Sequence, residues 1–185
     1  MRIYFVGAHS SGKSTLARYV SEKYNLSMIS ETARMILSEQ ELQIDAIRCD
    51  LNTADKYQKA VFDRQIIEEQ KYTNFVSDRS AVDILAYSAQ HTRTLPSLMK
   101  SKELSPYIDS LNHSDVAIFF VRPSKATMKA DGIRESLTWD GVVAIDAQIK
   151  LLLEIFSLKY FQISTDSMQE RIKIIDNIIS ILINN

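Results

Sequence analysis

A short apolar run, Ile3-Tyr4-Phe5-Val6, ends in Gly7-Ala8-His9-Ser10-Ser11-Gly12-Lys13-Ser14. This fits G-x-x-x-x-G-K-[ST], the spacing of a phosphate-binding loop, or P-loop. A polyphosphate needs several backbone N–H donors aimed into one cradle, and glycine lets the chain bend that tightly. The helix that follows adds its positive N-terminal end. Lys13 is expected against the β- and γ-phosphates, and the Ser14 hydroxyl on Mg²⁺. Nucleotide contacts are expected from Gly7, His9, Ser10, Ser11, Gly12, Lys13, Ser14 and Thr15. Context supports the match. An extended apolar run precedes the motif, a helical pattern (Leu16, Tyr19, Val20, Tyr24) follows it, and Gly7 and Gly12 are two of only four glycines. His9 reads as a spacer in the loop rather than a metal ligand, because the loop binds anions and no second ligand stands near it in sequence.

The loop requires a strand before it and a helix after it, and the rest of the chain continues that alternation. Strands are expected at Arg2–Val6, Ser27–Ile29, Phe75–Asp78, Val116–Val121 and Tyr160–Ser164. The first and fourth are continuously apolar, as strands covered on both faces are. Helical spacing recurs in Val82, Leu85, Ala86 and Ala89, and again in Val142, Ile145, Ile149, Leu152, Leu153 and Phe156. Ser80 with Asp83 resembles a capping box. Residues 91–106 hold two of the three prolines and read as a loop with a short helix. The expected fold is α/β, a five-stranded parallel sheet with helices on both faces. With 185 residues there is room for a single domain, 1–185, carrying a short lid at about 122–141.

Charge and cysteine usage narrow the partners. Lys and Arg total 22 against 23 Asp and Glu, a net charge of -1, which excludes a globally basic nucleic-acid coat protein and a polybasic membrane binder. The single Cys49 makes no internal disulfide and no multi-cysteine zinc site, so the cytoplasm is expected, that of a host if the chain is viral. No apolar run approaches the ~18 residues that span a bilayer. The opening apolar run is too short for a signal peptide.

A nucleotide loop leaves the reaction open. A motor ATPase would carry a buried strand ending in Asp-Glu, whereas the most apolar strand here runs into Arg122-Pro123. A GTPase would carry N/T-K-x-D and D-x-x-G, and neither occurs. The small kinases remain. Glu31 follows the second strand, at the carboxyl edge of the sheet where such folds bind ligands, and can take or orient a hydroxyl proton. Asp78-Arg79-Ser80 closes the third strand. Asp78 can hold a Mg²⁺-bound water and Arg79 can clamp a phosphate or a substrate oxygen. The lid segment carries Lys125, Lys129 and Asp131-Gly132-Ile133-Arg134-Glu135. Arg134, with Lys129 and Arg122 behind it, is expected to stabilise charge on the transferring phosphoryl group as the lid closes. Gly132 and Gly141 offer hinges. Tyr57, Gln58, Phe62 and Gln65 share a long helix from Thr53 to Tyr72 and read as core before base-stacking residues. Ser164-Thr165-Asp166 can contact adenine, and Trp139 has no assignable role.

With these segments in place, the chain resembles P-loop nucleoside and nucleotide kinases of the thymidylate-kinase type. It looks closest to a bacterial and phage group related to nicotinamide riboside kinase domains. The resemblance runs through residues 7–15, Glu31-Thr32-Ala33-Arg34, Ser77-Asp78-Arg79-Ser80 and Asp131-Gly132-Ile133-Arg134. It implies the P-loop NTPase fold, ATP as donor and Mg²⁺ as cofactor. Lys13, Glu31, Asp78, Arg79 and Arg134 are then the catalytic set, with Ser14 and Asp78 on the metal. Ser80 after Asp-Arg looks like deoxynucleoside kinases, which admits a nucleoside hydroxyl as well as a phosphate as acceptor. A nucleoside-type small molecule is the expected partner, and a homodimer is compatible with the reading. Two alternatives stand beside it: a phage-type kinase acting on 5-hydroxymethyluridine within DNA, and a non-catalytic protein in which bound ATP sets a conformation that a partner reads.

Overall fold

The computed structural model describes residues 1–30, 32–39, 50–125 and 138–184. Five parallel strands form one sheet: β1 (Arg2–Val6), β2 (Ser27–Ile29), β3 (Phe75–Asp78), β4 (Val116–Val121) and β5 (Phe161–Ile163). Their order is β2-β3-β1-β4-β5, so the strand that leads into the P-loop lies at the centre. Phe5 stands opposite Asp78 on one side and Phe119 on the other. The carboxyl ends of β3 and β4 therefore flank the loop, where open α/β sheets bind ligands.

The helices among the described residues are α1 (Lys13–Tyr24), α2 (Thr32–Glu39), α3 (Leu51–Glu69), α4 (Ala81–His91), α5 (Leu95–Met99), α6 (Leu104–Leu111), α7 (Trp139–Ile155) and α8 (Met168–Asn184). Alternate strand residues point to opposite faces. Ile3, Phe5, Ala117 and Phe119 pack with Leu16 and Val20 of α1 and with Ile175 and Ile179 of α8. Tyr4, Val6, Ile118 and Phe120 pack with Phe62 of α3, Leu85 of α4 and Ile149 of α7. Phe5 stacks on Phe119 with ring centroids 5.3 Å apart. Each fully buried side chain of this kind contributes about 1.5–3 kcal/mol.

The strands follow the sequence expectation except the last, which is narrower. Tyr160 turns its ring edge-on against Phe120 at 5.8 Å, and pairing with β4 covers only Phe161 to Ile163. The long helix begins two residues earlier than expected because Asp50 caps it, accepting from the N–H of Asn52 (3.2 Å) and Thr53 (2.9 Å). It ends at Glu69, three residues short of Tyr72. The 91–106 segment holds α5 and the start of α6. Pro96 and Pro106 sit in first turns, where a missing N–H costs nothing. Gly141, expected as a hinge, lies in the first turn of α7 and donates its N–H to Thr138 Oγ1 at 3.1 Å. The core reading of α3 holds: Tyr57 donates to the Ala33 carbonyl, Gln58 to the Ile84 carbonyl, and Phe62 is fully buried. Among the described residues, no helix is long and apolar enough to cross a membrane.

A buried polar chain braces the sheet beneath the carboxyl edge. Glu69 accepts from Tyr4 Oη (2.6 Å), Gln65 Nε2 (2.7 Å) and Tyr107 Oη (2.9 Å). Gln65 also donates to Ser77 Oγ and accepts from Thr32 Oγ1, and Tyr107 accepts from the Ala81 N–H. Burial and the neighbouring carboxylate push both tyrosine hydroxyls up, so they stay protonated donors. Burial also pushes the Glu69 carboxyl up, to about 7, against the pull of its three donors. The native state thus keeps a proton that the unfolded chain releases near about pH 4.3. That contribution to stability is complete below the unfolded value and is lost as pH rises through the folded one. Between pH 5 and pH 8, wild type is expected to lose about 2 kcal/mol of unfolding free energy relative to Glu69→Gln. Urea titrations of both proteins at the two pH values measure the difference, and parallel pH dependence contradicts it.

Candidate functional site

The P-loop is shaped by its contacts with both neighbouring strand ends. Gly7 has φ +149°, and a Cβ there would lie 2.4 Å from the Val121 carbonyl oxygen of β4. Only glycine allows that approach. The Gly7 N–H donates to Asp83 Oδ1 at 2.9 Å. Asp83 is buried on the first turn of α4, where it also accepts from the N–H and hydroxyl of Ser80. The capping box read from Ser80 and Asp83 is present. One carboxylate therefore caps a helix and anchors the start of the loop. Burial pushes the Asp83 carboxyl up, while Arg79, Lys13 and the two N–H donors pull it down.

Farther along the loop, Ser10 and Gly12 take left-handed backbone conformations, φ 56° and 92°. Gly12 precedes α1, which has no side-chain cap and no acidic residue in its first turn. The helix thus presents unscreened N–H dipoles to the loop, the arrangement that suits an anion. Lys13 is only 4% exposed, and its ammonium donates to the Ala8 carbonyl (2.7 Å) and to Ser11 Oγ (3.3 Å). Ser14 and Thr15 are exposed on the same turn.

On the β3 side, Asp78 and Arg79 are both buried. The Arg79 N–H extends the ladder to the Phe5 carbonyl at 3.1 Å, and its backbone sits at φ 108°, a costly conformation for a residue with a side chain. Its guanidinium lies 5.0 Å over the Tyr87 ring and 3.3 Å from His9 Nδ1. His9 in turn lies 4.6 Å from Tyr87, ring to ring. On the β4 side, Arg122 pairs with the buried Asp146 of α7 at 2.8 Å and covers the Phe120 ring. Burial pushes the Asp146 carboxyl up, while Arg122 and more distant cations, Lys13 among them, pull it down.

Arg171 of α8 closes the floor. It is fully buried and donates to the Ser11 carbonyl of the loop, to the Thr165 carbonyl (2.6 Å) and to the Arg122 carbonyl (3.2 Å). Burial alone lowers its affinity for the proton.

The structure thus brings Gly7, His9, Ser10, Ser11, Gly12, Lys13, Ser14, Asp78 and Arg79 to one edge of the sheet. Glu31 and Arg134, with Lys129 and Gly132, lie outside the described residues. Lys125 stands 5.4 Å over the Trp139 ring at the two borders of that segment. Thr165 offers its carbonyl to Arg171, so a backbone oxygen of the expected adenine-contacting stretch serves the scaffold. Asp146, Arg171 and Tyr87 went unnoticed in the sequence. Two of them had a signal. Asp146 shares the buried side of α7 with Val142, Ile145 and Ile149, and Arg171 falls in line with Ile175 and Ile179. A charge on an apolar helix face marks a buried partner.

Among the described residues, no three His, Cys, Asp or Glu side chains gather to hold a metal alone. A hydroxyl on α1 and the carboxylates Asp78 and Asp146 are hard oxygen donors of the kind Mg²⁺ takes when phosphate supplies the remainder. Asp146 Oδ1 is buried and has no hydrogen-bond partner among the described residues.

Replacing Arg171 by Met keeps the bulk and strands the carbonyls of Ser11, Thr165 and Arg122 in the interior. Unfolding free energy is expected to fall by about 3 kcal/mol, read by urea denaturation. The exposed Arg18 of α1, changed to Met in parallel, is expected to shift it by less than about 0.5 kcal/mol.

A protein-family model described as an AAA domain matches residues 2–171. No curated protein matches the chain. Among solved structures, deoxyadenosine kinase from M. mycoides with bound dCTP superposes with a TM-score of 0.73 at 14% identity, over 97% of this chain and 99% of that one. NadR protein in complex with NR gives 0.73 at 15% identity, over 96% of this chain and 48% of that one. Shikimate kinase from Aquifex aeolicus gives 0.56 at 18% identity, over 95% and 94%. The parallel sheet with its glycine-bounded loop is thus a P-loop kinase-like fold, and by the match across residues 2–171 the chain belongs to the AAA domain family.

Proposed function

We propose that this chain is a cytoplasmic, single-domain phosphotransferase of the thymidylate-kinase type. It moves the γ-phosphoryl group of ATP to a hydroxyl or phosphate of a nucleoside-type acceptor. The observation that carries the reading is the buried Lys13 ammonium inside a loop whose helix is left uncapped, with Asp78 and Arg79 on the next strand end. The loop amides and Lys13 hold the triphosphate and draw charge from it as the terminal group departs. Mg²⁺, held by Ser14 and Asp78, would neutralise charge shared between the β- and γ-phosphates. Glu31 takes or orients the acceptor proton, Arg79 clamps the acceptor side, and Arg134 screens the transferring group. A nucleoside-type acceptor is supported by the ligands named for two neighbours, dCTP on deoxyadenosine kinase and NR on NadR.

Transfer from γ-labelled ATP to free nucleosides, nucleoside monophosphates, nicotinamide riboside and DNA with and without modified bases tests the reading. Label is expected on a free nucleoside or its monophosphate. Lys13→Ala is expected to lower turnover by about 10²–10³-fold. Glu31→Gln is expected to lower turnover while ATP affinity persists. Label on modified DNA alone would make the chain a polynucleotide kinase, and ATP binding without label on any acceptor would defeat the enzyme reading.

A further inference from the structure

His9 is the P-loop residue whose side chain reaches the acceptor side. Its Nδ1 stands 3.3 Å from Arg79 Nη2. Arginine has only donors, so Nδ1 must be the acceptor and the neutral ring must carry its proton on Nε2. The same guanidinium lies 5.0 Å over Tyr87, whose ring is 4.6 Å from His9. Arg79 thus meets a ring face on one side and a lone pair on another. Its left-handed backbone shows that the surrounding contacts fix this residue against its own preference.

We propose that His9 is a positioning residue: its neutral Nε2–H imidazole helps set the Arg79 guanidinium against Tyr87. A proton on Nδ1 would turn the acceptor into a donor facing a donor, and would place a second cation beside the guanidinium. The link also joins the nucleotide loop to the acceptor-side arginine, so a change in one reaches the other through a single side chain. This positioning role in turnover rests on the phosphotransferase reading; the contact itself does not.

Two measurements test it. The chain has three histidines, so nitrogen NMR of the labelled protein, assigned with His91→Gln and His113→Gln, reads the His9 tautomer directly. Above pH 7.5 we expect Nε2–H with Nδ1 bare, and a return towards mixed tautomers in Arg79→Met. A ring protonated on Nδ1 in wild type overturns the proposal whether or not any acceptor is found. With an acceptor in hand, His9→Phe, which keeps the ring and loses the acceptor, is expected to lower kcat about tenfold with little change in KM for ATP. His9→Gln, which restores an acceptor, is expected to recover most of that loss. A His9→Phe kcat equal to wild type, or no recovery in His9→Gln, overturns it. Absence of turnover in wild type would instead count against the phosphotransferase reading.

Discussion

Cations and carboxylates are buried together around the P-loop, and each needs partners there to replace its water. Lys13, Arg79 and Arg171 are all nearly inaccessible, and Arg122 lies beside them. Taking a charge out of water costs several kcal/mol unless something replaces its hydration. The replacements are uneven. Arg122 has a carboxylate, Asp146. Lys13 is held by a carbonyl and a hydroxyl, Arg79 by a ring face and an imidazole nitrogen, and Arg171 by three carbonyls. The Asp83 carboxylate, buried on the first turn of α4, acts electrostatically on both Arg79 and Lys13. The uncapped N-terminus of α1 adds its dipole at the same edge.

The parts of this arrangement that were legible in the sequence are those with a local cause. β1 and β4 are covered on both faces, so their residues are apolar without interruption and their ends are sharp. The loop motif states its own backbone requirements, and Gly7 meets the most severe of them at the Val121 carbonyl. Ser80 and Asp83 form a cap between neighbours in sequence. β5, at the sheet edge, is paired on one side only, and its bounds were the least defined.

The illegible parts depend on partners far along the chain. Asp83 announced its helix cap but not its bond to Gly7, which lies 76 residues away. The carbonyls that receive Arg171 belong to Ser11, Arg122 and Thr165, and a backbone acceptor leaves no mark on residue type. The left-handed backbone of Arg79 has no sequence signature, because that conformation is ordinarily glycine's. His9 read as filler because its contact is made across the sheet edge, with the end of β3 and with α4.

The bond between Arg171 and Ser11 spans 160 residues of chain. A ribosome releases the glycine-bounded loop well before the arginine beneath it. Until α8 docks, the Ser11 carbonyl faces water and the loop lacks its floor. The floor of the loop is therefore completed only once α8 has docked, and a nascent chain halted before residue 171 carries the motif without that support.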